Sequence, residues 1–460
     1  MYLALVCFVA ALGGFLFGFD TAVISGTVGF VKAKFAMNVV MEGWFVSSAL
    51  VGCVIGVVFA GKLSDSFGRK KILLLSAFLF WVSAVGSTIA TTVPFLIVAR
   101  MIGGMGVGIA SMLSPLYISE ITPPAIRGRM VTLYQFAITI GILCAYFSNA
   151  VLVQLGAKLP GVESIAFLQW IAVDEAWRGM FGSETIPAAL FFLLLFFVPE
   201  SPRWLVKEGR IDEGRSVLAR VLGKAEAKRE VDEITETIAH ENTSLSQLFQ
   251  PGLRIALLIG ILLPAMSQFS GINAIIYYGP EIFNKAGFAL SEALGGQVTI
   301  GIVNVLFTIV AIFTVDRMGR RPLLLFGVSG VIISLILVGF FFFNNVTAGF
   351  MLLVFFLMFI ACFAFSYGPV TWVIISEIFP TSIRGRAMSI ATLSLWLANV
   401  IVGQMFPWLL ENAGSAITFW LFAALCFPTL FLVWKVIPET KGKSLEEIEK
   451  YWASKASVDA

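Results

Sequence analysis

One aspartate lies in the middle of the first apolar segment of the chain. Asp20 is the only charged residue in ALGGFLFGFDTAVISGTVGF, residues 11–30. A carboxylate at membrane depth is costly and needs a partner, so an ionisable residue there indicates a functional site. The chemistry open to it is to bind and release a proton as its surroundings change. We therefore predict that Asp20 is a proton carrier.

A second apolar segment offers a positive partner for Asp20. Arg100 opens the stretch RMIGGMGVGIASMLSP, and at 1.5 Å of rise per helical residue it reaches a depth similar to that of Asp20. Burial disfavours the charged carboxylate, whereas a nearby guanidinium favours it. A change in this balance between two conformations would couple proton uptake to movement. A permanent ion pair that only fixes helix packing is the alternative.

The composition places these residues in lipid. Of the 460 residues, 58% are hydrophobic and 13% are charged, whereas a soluble domain contains about 25% charged residues. We predict twelve membrane-spanning helices of about 20 or more residues each. They cover residues 2–30, 43–64, 72–92, 94–118, 130–153, 180–198, 254–284, 294–315, 323–343, 348–375, 386–409 and 414–437. The first run is too long for a cleaved signal peptide, so we expect it to be retained.

Basic residues follow every second predicted span, and the opposite loops contain few of them. By the positive-inside rule, these basic connections and both termini are cytoplasmic. We therefore expect a multi-pass protein of the plasma (inner) membrane. The residues that set this orientation include Lys62, Arg69, Lys70, Lys71, Arg127, Arg129, Arg203, Arg317, Arg320, Arg321, Arg384, Arg386, Lys441 and Lys443.

Three loop motifs of the first half recur in the second half in the same order. SDSFGRKK matches VDRMGRRP, SEITPPAIRGRMVTL matches SEIFPTSIRGRAMSI, and PESPR matches PETKG. Two parallel repeats of six spans are typical of transporters whose site lies between the halves. We predict an N-terminal bundle over residues 1–200, a cytoplasmic helical linker over 201–252, a C-terminal bundle over 253–438 and a cytoplasmic tail over 439–460.

The same motifs, with QFSGINAIIYYGPEIF and GPVTWVIISEIFP, resemble the sugar porter family of the major facilitator superfamily along the whole chain. GFDTAVISGTV and GVGIASMLSPLYISE look closest to bacterial D-xylose and monosaccharide:proton symporters. The resemblance implies an all-α major facilitator fold and import of a hexose or pentose, such as glucose or xylose, with a proton by alternating access. It also favours coupling through Asp20, because facilitative relatives carry a residue there that cannot ionise.

A sugar presents hydroxyl groups and C–H faces, so its site needs neutral donor–acceptor side chains and an aromatic plate. The candidates within the spans are Phe17, Gln135, Gln268, Asn273, Tyr277, Asn304, Trp372 and Trp396. The resemblance implies sugar contact for Gln135, Gln268, Asn273, Asn304 and Trp372. An interhelical hydrogen bond is the alternative for each amide taken alone. We expect Trp396 to line or pack the site rather than to contact sugar directly.

The sequence departs from the pattern of the resemblance at three positions. Ser267 stands where many family members carry glutamine, and Leu395 and Ile142 stand where the D-xylose symporters carry it. The pocket therefore loses reach and hydrogen-bonding capacity. This leaves other hexoses, other pentoses and cyclitols such as inositol open as substrates.

Glycine and proline interrupt two predicted spans. Gly271, Gly279 and Pro280 flank the polar stretch of span 7, and Gly368 with Pro369 lie in span 10. Irregular backbone at membrane depth is tolerated where it is buried or lines a cavity. We expect these breaks to produce half-helices that act as outer and inner gates.

Opposite charges ring the cytoplasmic mouth of the bundles. A network of individually weak ion pairs suits a latch that opens in every cycle, and the resemblance supports a gate that closes the outward-facing state. Loop anchoring is the alternative. We expect substitution of Arg127 to shift the population toward the inward-facing state. The gate candidates are Asp65, Arg69, Glu120, Arg127, Glu200, Asp316, Arg320, Glu377, Arg384 and Glu439.

Other functional classes lack a signal in the sequence. It contains no nucleophile–base arrangement, metal-ligand spacing or nucleotide-binding loop, so we expect neither an enzyme nor a cofactor or metal site. Nucleic-acid binding is not expected, because the basic residues follow membrane sidedness. We expect a monomer whose partners are the sugar, the proton and the bilayer. A uniporter of the same fold is the main alternative, and the short segment after Pro438 argues against a sugar sensor.

Overall fold

The structure, a computed structural model, describes residues 2–123, 126–158, 166–239, 248–249, 253–344, 350–379 and 383–441. Helices account for almost all of this part of the chain. In order, the α-helices are Tyr2–Phe35 (α1), Val39–Phe67 (α2), Arg69–Ile89 (α3), Val93–Ile121 (α4), Arg127–Lys158 (α5), Ala166–Gln169 (α6), Ala176–Ser183 (α7), Thr185–Leu195 (α8), Pro202–Lys207 (α9), Ile211–Leu222 (α10), Lys224–Ala239 (α11), Leu253–Phe269 (α12), Ile272–Lys285 (α13), Leu290–Met318 (α14), Arg320–Phe343 (α15), Phe350–Cys362 (α16), Gly368–Glu377 (α17), Arg384–Asn412 (α18) and Ser415–Lys435 (α19). The described residues also contain two π-helical turns, Trp170–Asp174 and Phe363–Tyr367, and a short 3₁₀ segment at residues 248–249.

Twelve helical segments of the described residues are long and apolar enough to cross a membrane, which confirms the predicted number. Nine of them are single helices. The sixth span joins α7 to α8, the seventh joins α12 to α13, and the tenth joins α16 through a π turn to α17. The interrupted spans therefore place irregular backbone inside the bundle.

The spans form two bundles that meet along two seams. In the first half α2 and α3 pack on α4, and α1 packs on α5; in the second half α15 packs on α19, and α12 packs on α18. Between the halves, α2 packs against α18 and α5 packs against α14. A site enclosed by both halves is therefore bordered by these four helices.

The predicted linker contains three short helices that pack on one another. Val206, Leu218, Ala227 and Val231 of α9, α10 and α11 form a small core of their own. These helices mark one end of the molecule, which we call the linker end. The opposite end is called the far end.

Two glycine turns repeat the same construction in both halves. Gly68 joins α2 to α3 with φ of +94°, and Gly319 joins α14 to α15 with φ of +89°. Glu200 accepts hydrogen bonds from the first backbone N–H groups of α3, and Glu439 accepts them from those of α15. The internal repeat of the sequence thus has a structural counterpart at the linker end.

We expect Gly68→Ala to lower the thermal unfolding midpoint more than Gly223→Ala. Both glycines have φ above +90° and ψ of 160°, a region that costs other residues about 1–3 kcal/mol. At Gly68 an added Cβ would also lie 2.3 Å from Glu200 Oε2, whereas at Gly223 nothing lies within 4 Å. Thermal unfolding of the purified protein in detergent measures the difference. Equal midpoints for the two variants would contradict a role for the Glu200 contact.

Candidate functional site

Asp20 and Arg100 form a buried ion pair, as predicted. Their exposed fractions are 0% and 2%. Arg100 Nη1 donates to Asp20 Oδ1 at 2.6 Å, and Arg100 Nη2 donates to the Asp20 main-chain oxygen at 3.2 Å. The guanidinium also lies over the ring of Phe181, 5.3 Å from its centroid. The pair is therefore held from three directions by α1, α4 and α7.

A second carboxyl group, absent from the sequence prediction, completes this cluster. Glu184 lies between α7 and α8, is 1% exposed, and its carboxyl group faces that of Asp20. Asp20 Oδ2 and Glu184 Oε1 have no hydrogen-bond donor among the described residues. Two ionised carboxylates cannot donate to each other. A single proton between them would satisfy both oxygens.

A small cavity connects the ion pair to the second half. Its lining includes Asp20, Arg100 and Tyr277. Tyr277 lies on α13, and its hydroxyl accepts a hydrogen bond from Asn399 Nδ2 of α18 at 3.0 Å. Asn399 was not among the predicted site residues. A change in the charge of Asp20 can therefore reach two helices of the second half through one tyrosine.

An aromatic contact also joins the halves at this level. The rings of Phe17 and Trp396 lie 5.3 Å apart between centroids. Phe17 is one helical turn from Asp20, and Trp396 is one turn from Asn399. Trp396 is 1% exposed, and its indole N–H has no hydrogen-bond partner among the described residues. Since buried polar groups are normally paired, this unpaired donor favours a ligand hydroxyl as its partner, in contrast to the expectation that Trp396 only lines or packs the site.

Two predicted amides meet at the break in span 7. Gly271 adopts a φ of +82° between α12 and α13. Across this break Asn273 Nδ2 donates to Gln268 Oε1 at 2.6 Å, and Gln268 Nε2 donates to Ser267 Oγ at 3.1 Å. The left-handed turn thus presents two amide groups side by side.

Three residues that were predicted to bind the sugar lie outside this hydrogen-bond network. Gln135 on α5, Asn304 on α14 and Trp372 on α17 are half-buried and have no hydrogen bond to another residue in the described ranges. Because α5 packs on α14, Gln135 and Asn304 belong to one seam between the halves. Their amide groups retain their full hydrogen-bonding capacity.

The helix interruptions in spans 7 and 10 differ in part from those that the sequence predicted. The expected interruption at Gly279 and Pro280 is wrong, because α13 continues through both residues. Proline removes the donor that would bond the carbonyl four residues earlier. Here Tyr146 of the first half supplies it, with its hydroxyl donating to the Ile276 carbonyl at 3.2 Å. In span 10, the π turn Phe363–Tyr367 precedes Gly368.

The charged residues at the linker end form two separate clusters. In the first half Arg69 pairs with Asp65 at 3.0 Å and with Glu120 at 3.0 Å, and Ser201 Oγ also donates to Glu120. Glu200 binds the backbone of α3 instead of a side chain. Each contact lies within the first half.

The second cluster repeats this pattern. Arg320 pairs with Glu377 at 2.8 Å. Burial raises the pKa of Glu439, but the backbone N–H groups of Lys441, Arg320 and Arg321 lower it more, so this carboxyl titrates below its ordinary range. Among the described residues no ion pair of the ring joins the halves. The side chains of Arg127, Asp316 and Arg384 lie outside the description.

Hydrogen bonds between the halves are concentrated toward the far end. Ser47 Oγ donates to Gln404 Oε1 at 2.9 Å, and Gln404 Nε2 donates to the Val40 carbonyl at 3.1 Å. At the linker end the described residues form one long hydrogen bond between the halves, from Ser389 Oγ to Met112 Sδ at 3.9 Å. The far end of the seam between α2 and α18 is therefore closed.

Comparison with known proteins adds an independent line of observation. The model of the family described as "Sugar (and other) transporter" matches residues 6–452. The arabinose-proton symporter of Bacillus subtilis (strain 168) is 46% identical over 455 residues, covering 98% of this chain and 95% of the relative. The D-xylose-proton symporter of Escherichia coli (strain K12) is 39% identical over 484 residues, covering 98% and 96%.

Solved structures show the same likeness in three dimensions. The partially occluded inward-open structure of the E. coli xylose transporter matches with a TM-score of 0.84 at 37% sequence identity, covering 96% of this chain and 99% of that one. With the twelve spans, this match confirms the predicted all-α major facilitator fold of a multi-pass membrane protein. The chain belongs to the sugar (and other) transporter family.

Proposed function

We propose that the protein imports a monosaccharide together with a proton by alternating access. The observation that carries this proposal is the run of contacts from the Asp20–Arg100 pair, through the shared cavity, to Tyr277 and Asn399 of the second half. Such a connection lets a proton on one bundle influence a ligand held by the other. Similarity to the arabinose-proton and D-xylose-proton symporters supports the same substrate class.

Charge balance supports one bound proton in the cluster of Asp20, Glu184 and Arg100. Two carboxyl groups, Asp20 and Glu184, share one guanidinium, that of Arg100, and all three side chains are buried. With both carboxyls ionised the cluster carries one net negative charge, and an uncompensated buried charge is costly. One bound proton makes the cluster neutral. Asp20 is the proposed carrier because it lines the cavity that reaches the second half, whereas its contact with Arg100 favours its ionised form in this conformation.

The proposed sugar site lies between the amides of Gln268 and Asn273 and the aromatic pair of Phe17 and Trp396. The free indole N–H of Trp396 offers a donor for a hydroxyl group. A ring of hydroxyls needs several such neutral partners, and a cyclitol would use the same ones. The remaining members of the proposed set are Gln135, Tyr277, Asn304 and Trp372.

The orientation and the gates follow from the same proposal. The linker end and both termini face the cytoplasm, because the basic loops lie there. The closed far end is then proposed to face outward, so that this conformation is open toward the cytoplasm. The charged ring is proposed to close the linker end in the opposite state. One chain supplies both halves of the site, so we propose a monomer as the transporting unit.

Uptake into proteoliposomes tests the proposal. Labelled arabinose, xylose, galactose, glucose and inositol are offered with the medium more acidic than the lumen. We expect at least one monosaccharide to accumulate above its external concentration, and a protonophore to abolish the accumulation. Equilibration without accumulation under the same gradient would indicate a uniporter. Accumulation of inositol alone would make the substrate a cyclitol.

A further inference from the structure

A groove on the surface of the second half is lined by apolar side chains alone. It has a volume of about 560 Å³ and lies between α14, α15 and α16. Two of its lining side chains are exposed, Phe326 of α15 by 66% and Val310 of α14 by 41%. Because α15 packs on α16 and α19 of its own half, the groove opens on the outside of the second bundle. In a membrane protein this surface faces lipid.

The internal repeat explains why the groove exists in the second half. When SDSFGRKK is aligned with VDRMGRRP without gaps, Gly52 and Gly56 of α2 match Val303 and Phe307 of α14. The two glycines let α2 lie directly on α4, since a Cβ added at Gly52 would be 2.1 Å from the Met101 carbonyl oxygen. Valine and phenylalanine do not permit such a close approach of two helices.

The facing helix differs between the halves in the same way. When SEITPP is aligned with SEIFPT, Gly104 and Gly108 of α4 match Ala361 and Phe365 of span 10. A Cβ added at Gly104 would be 1.8 Å from the Ala49 carbonyl oxygen. Ala361 and Phe365 both line the groove. Four glycines that bring two helices into contact in the first half are therefore larger residues around a groove in the second half.

Positive charge lies at the linker end of the same helix face. Val303, Val310 and Arg317 follow one another at intervals of seven residues, which places them on one face of α14. Arg317 is exposed, and within the described part of the chain its guanidinium has no hydrogen bond or ion pair. Lys441 Nζ donates to the Arg317 main-chain oxygen at 2.6 Å. The matching residue of the first half is Ser66.

The distance between this charge and the groove corresponds to one leaflet of a bilayer. At 1.5 Å of rise per residue, Arg317 and Val303 are about 21 Å apart along α14. One leaflet with its headgroup region is about 20–22 Å thick, half of a bilayer of about 40–45 Å. A lipid with its headgroup at Arg317 therefore places an acyl chain beside Val303. Basic side chains at this depth favour an anionic headgroup.

We propose that an anionic glycerophospholipid of the linker-end leaflet binds at this groove. One acyl chain lies in the groove, and the phosphate group binds Arg317 and Lys441. Phe365 belongs to the π turn between α16 and α17, so the chain braces the break in span 10. The inference rests on the proposed function only for the name of the leaflet, which is the cytoplasmic one in that orientation.

Photo-crosslinking of the full-length protein in nanodiscs tests this lipid site. The nanodiscs contain phosphatidylcholine and a small fraction of phosphatidylglycerol that carries a diazirine group near the end of one acyl chain. Adducts formed on illumination are mapped by mass spectrometry of peptides. We expect residues 303–310 and 354–365 to be labelled more than the matching first-half segments, 52–59 and 97–108. Lipid also reaches the first-half segments, where Phe59 is 56% exposed, so they report the general lipid layer.

Competition and two substitutions separate the headgroup from the acyl chain. Unlabelled phosphatidylglycerol should compete for the groove, and additional phosphatidylcholine should not. Arg317→Ser introduces the residue of the matching first-half position and should lower the labelling of the groove about fivefold. Lys71→Ser removes an exposed basic residue at the linker end of the first half, and as the control it should leave the labelling unchanged. Ala361→Phe fills the groove and should remove its adducts while Arg317 is retained.

Equal labelling of the two halves, equal competition by the two lipids, or unchanged labelling in Arg317→Ser would each overturn the proposal and leave only the general lipid layer. If Ala361→Phe does not fold, the competition and Arg317→Ser still decide the result, because Arg317 is an exposed residue. The labelling needs neither sugar nor a proton gradient. Failure of the symport proposal would therefore leave the lipid site standing, and the reverse also holds.

Discussion

Asp20→Asn is expected to abolish proton-driven sugar accumulation while leaving sugar exchange across the membrane intact. An amide has nearly the shape of the carboxyl group and can accept from Arg100, but it cannot bind and release a proton at physiological pH. With one proton per sugar, a gradient of one pH unit supplies about 1.36 kcal/mol, which is about a tenfold accumulation. The variant should reach a ratio of about 1 under the same gradient.

Two assays on the same proteoliposomes separate coupling from transport. Accumulation under an inward proton gradient should be lost, and counterflow of labelled against unlabelled sugar should continue. Asp212→Asn is the matched control, because its carboxylate is 96% exposed on α10 and lies far from the bundle core. Accumulation by Asp20→Asn at the level of this control would refute Asp20 as the carrier. Loss of counterflow as well would point to the permanent structural ion pair.

The global architecture could be predicted because lipid imposes a strong constraint on sequence. A span needs about 20 apolar residues whatever its neighbours are, so all twelve segments were visible without knowledge of their packing. The same constraint made Asp20 and Arg100 stand out. Their pairing followed from depth alone, since an isolated buried charge is not stable.

Glu184 and Asn399 are site residues that the sequence prediction missed although their signals are present. Glu184 is an ionisable residue inside the predicted span 180–198, so the rule that identified Asp20 applies equally to it. Asn399 is a polar residue one turn beyond Trp396 in span 11. A polar side chain within an apolar run is a candidate for the site even when its partner is not evident from depth.

Other features could not be predicted from the sequence, because they depend on distant contacts. Proline at position 280 normally interrupts a helix, and only the fold brings the Tyr146 hydroxyl to the Ile276 carbonyl that it leaves free. The charges of the linker end could be recognised from the sequence as a ring. Their division into one cluster per half could not, because it depends on which helices are neighbours in the fold.

Gln268→Ala is expected to raise the sugar Kd about 10- to 100-fold. The substitution removes an amide from the proposed sugar site and leaves Asn273 without the acceptor it now has at 2.6 Å. Losing hydrogen bonds of this kind in a buried polar site costs about 1.5–3 kcal/mol, which corresponds to that change in Kd. Equilibrium binding of the transported sugar to the purified protein, by calorimetry or by quenching of tryptophan fluorescence, measures it.

The control for Gln268→Ala must be another buried amide of the same bundle. Gln297 on α14 is 1% exposed and donates to the Ile275 carbonyl at 3.2 Å, so it ties two helices together. Gln297→Leu should lower the thermal midpoint but leave Kd within about twofold, because a lost interhelical bond costs stability alone. If Gln268 is likewise only an interhelical tie, both variants will lose thermal stability and neither will lose affinity. A selective loss of affinity in Gln268→Ala is the result that a direct sugar ligand requires.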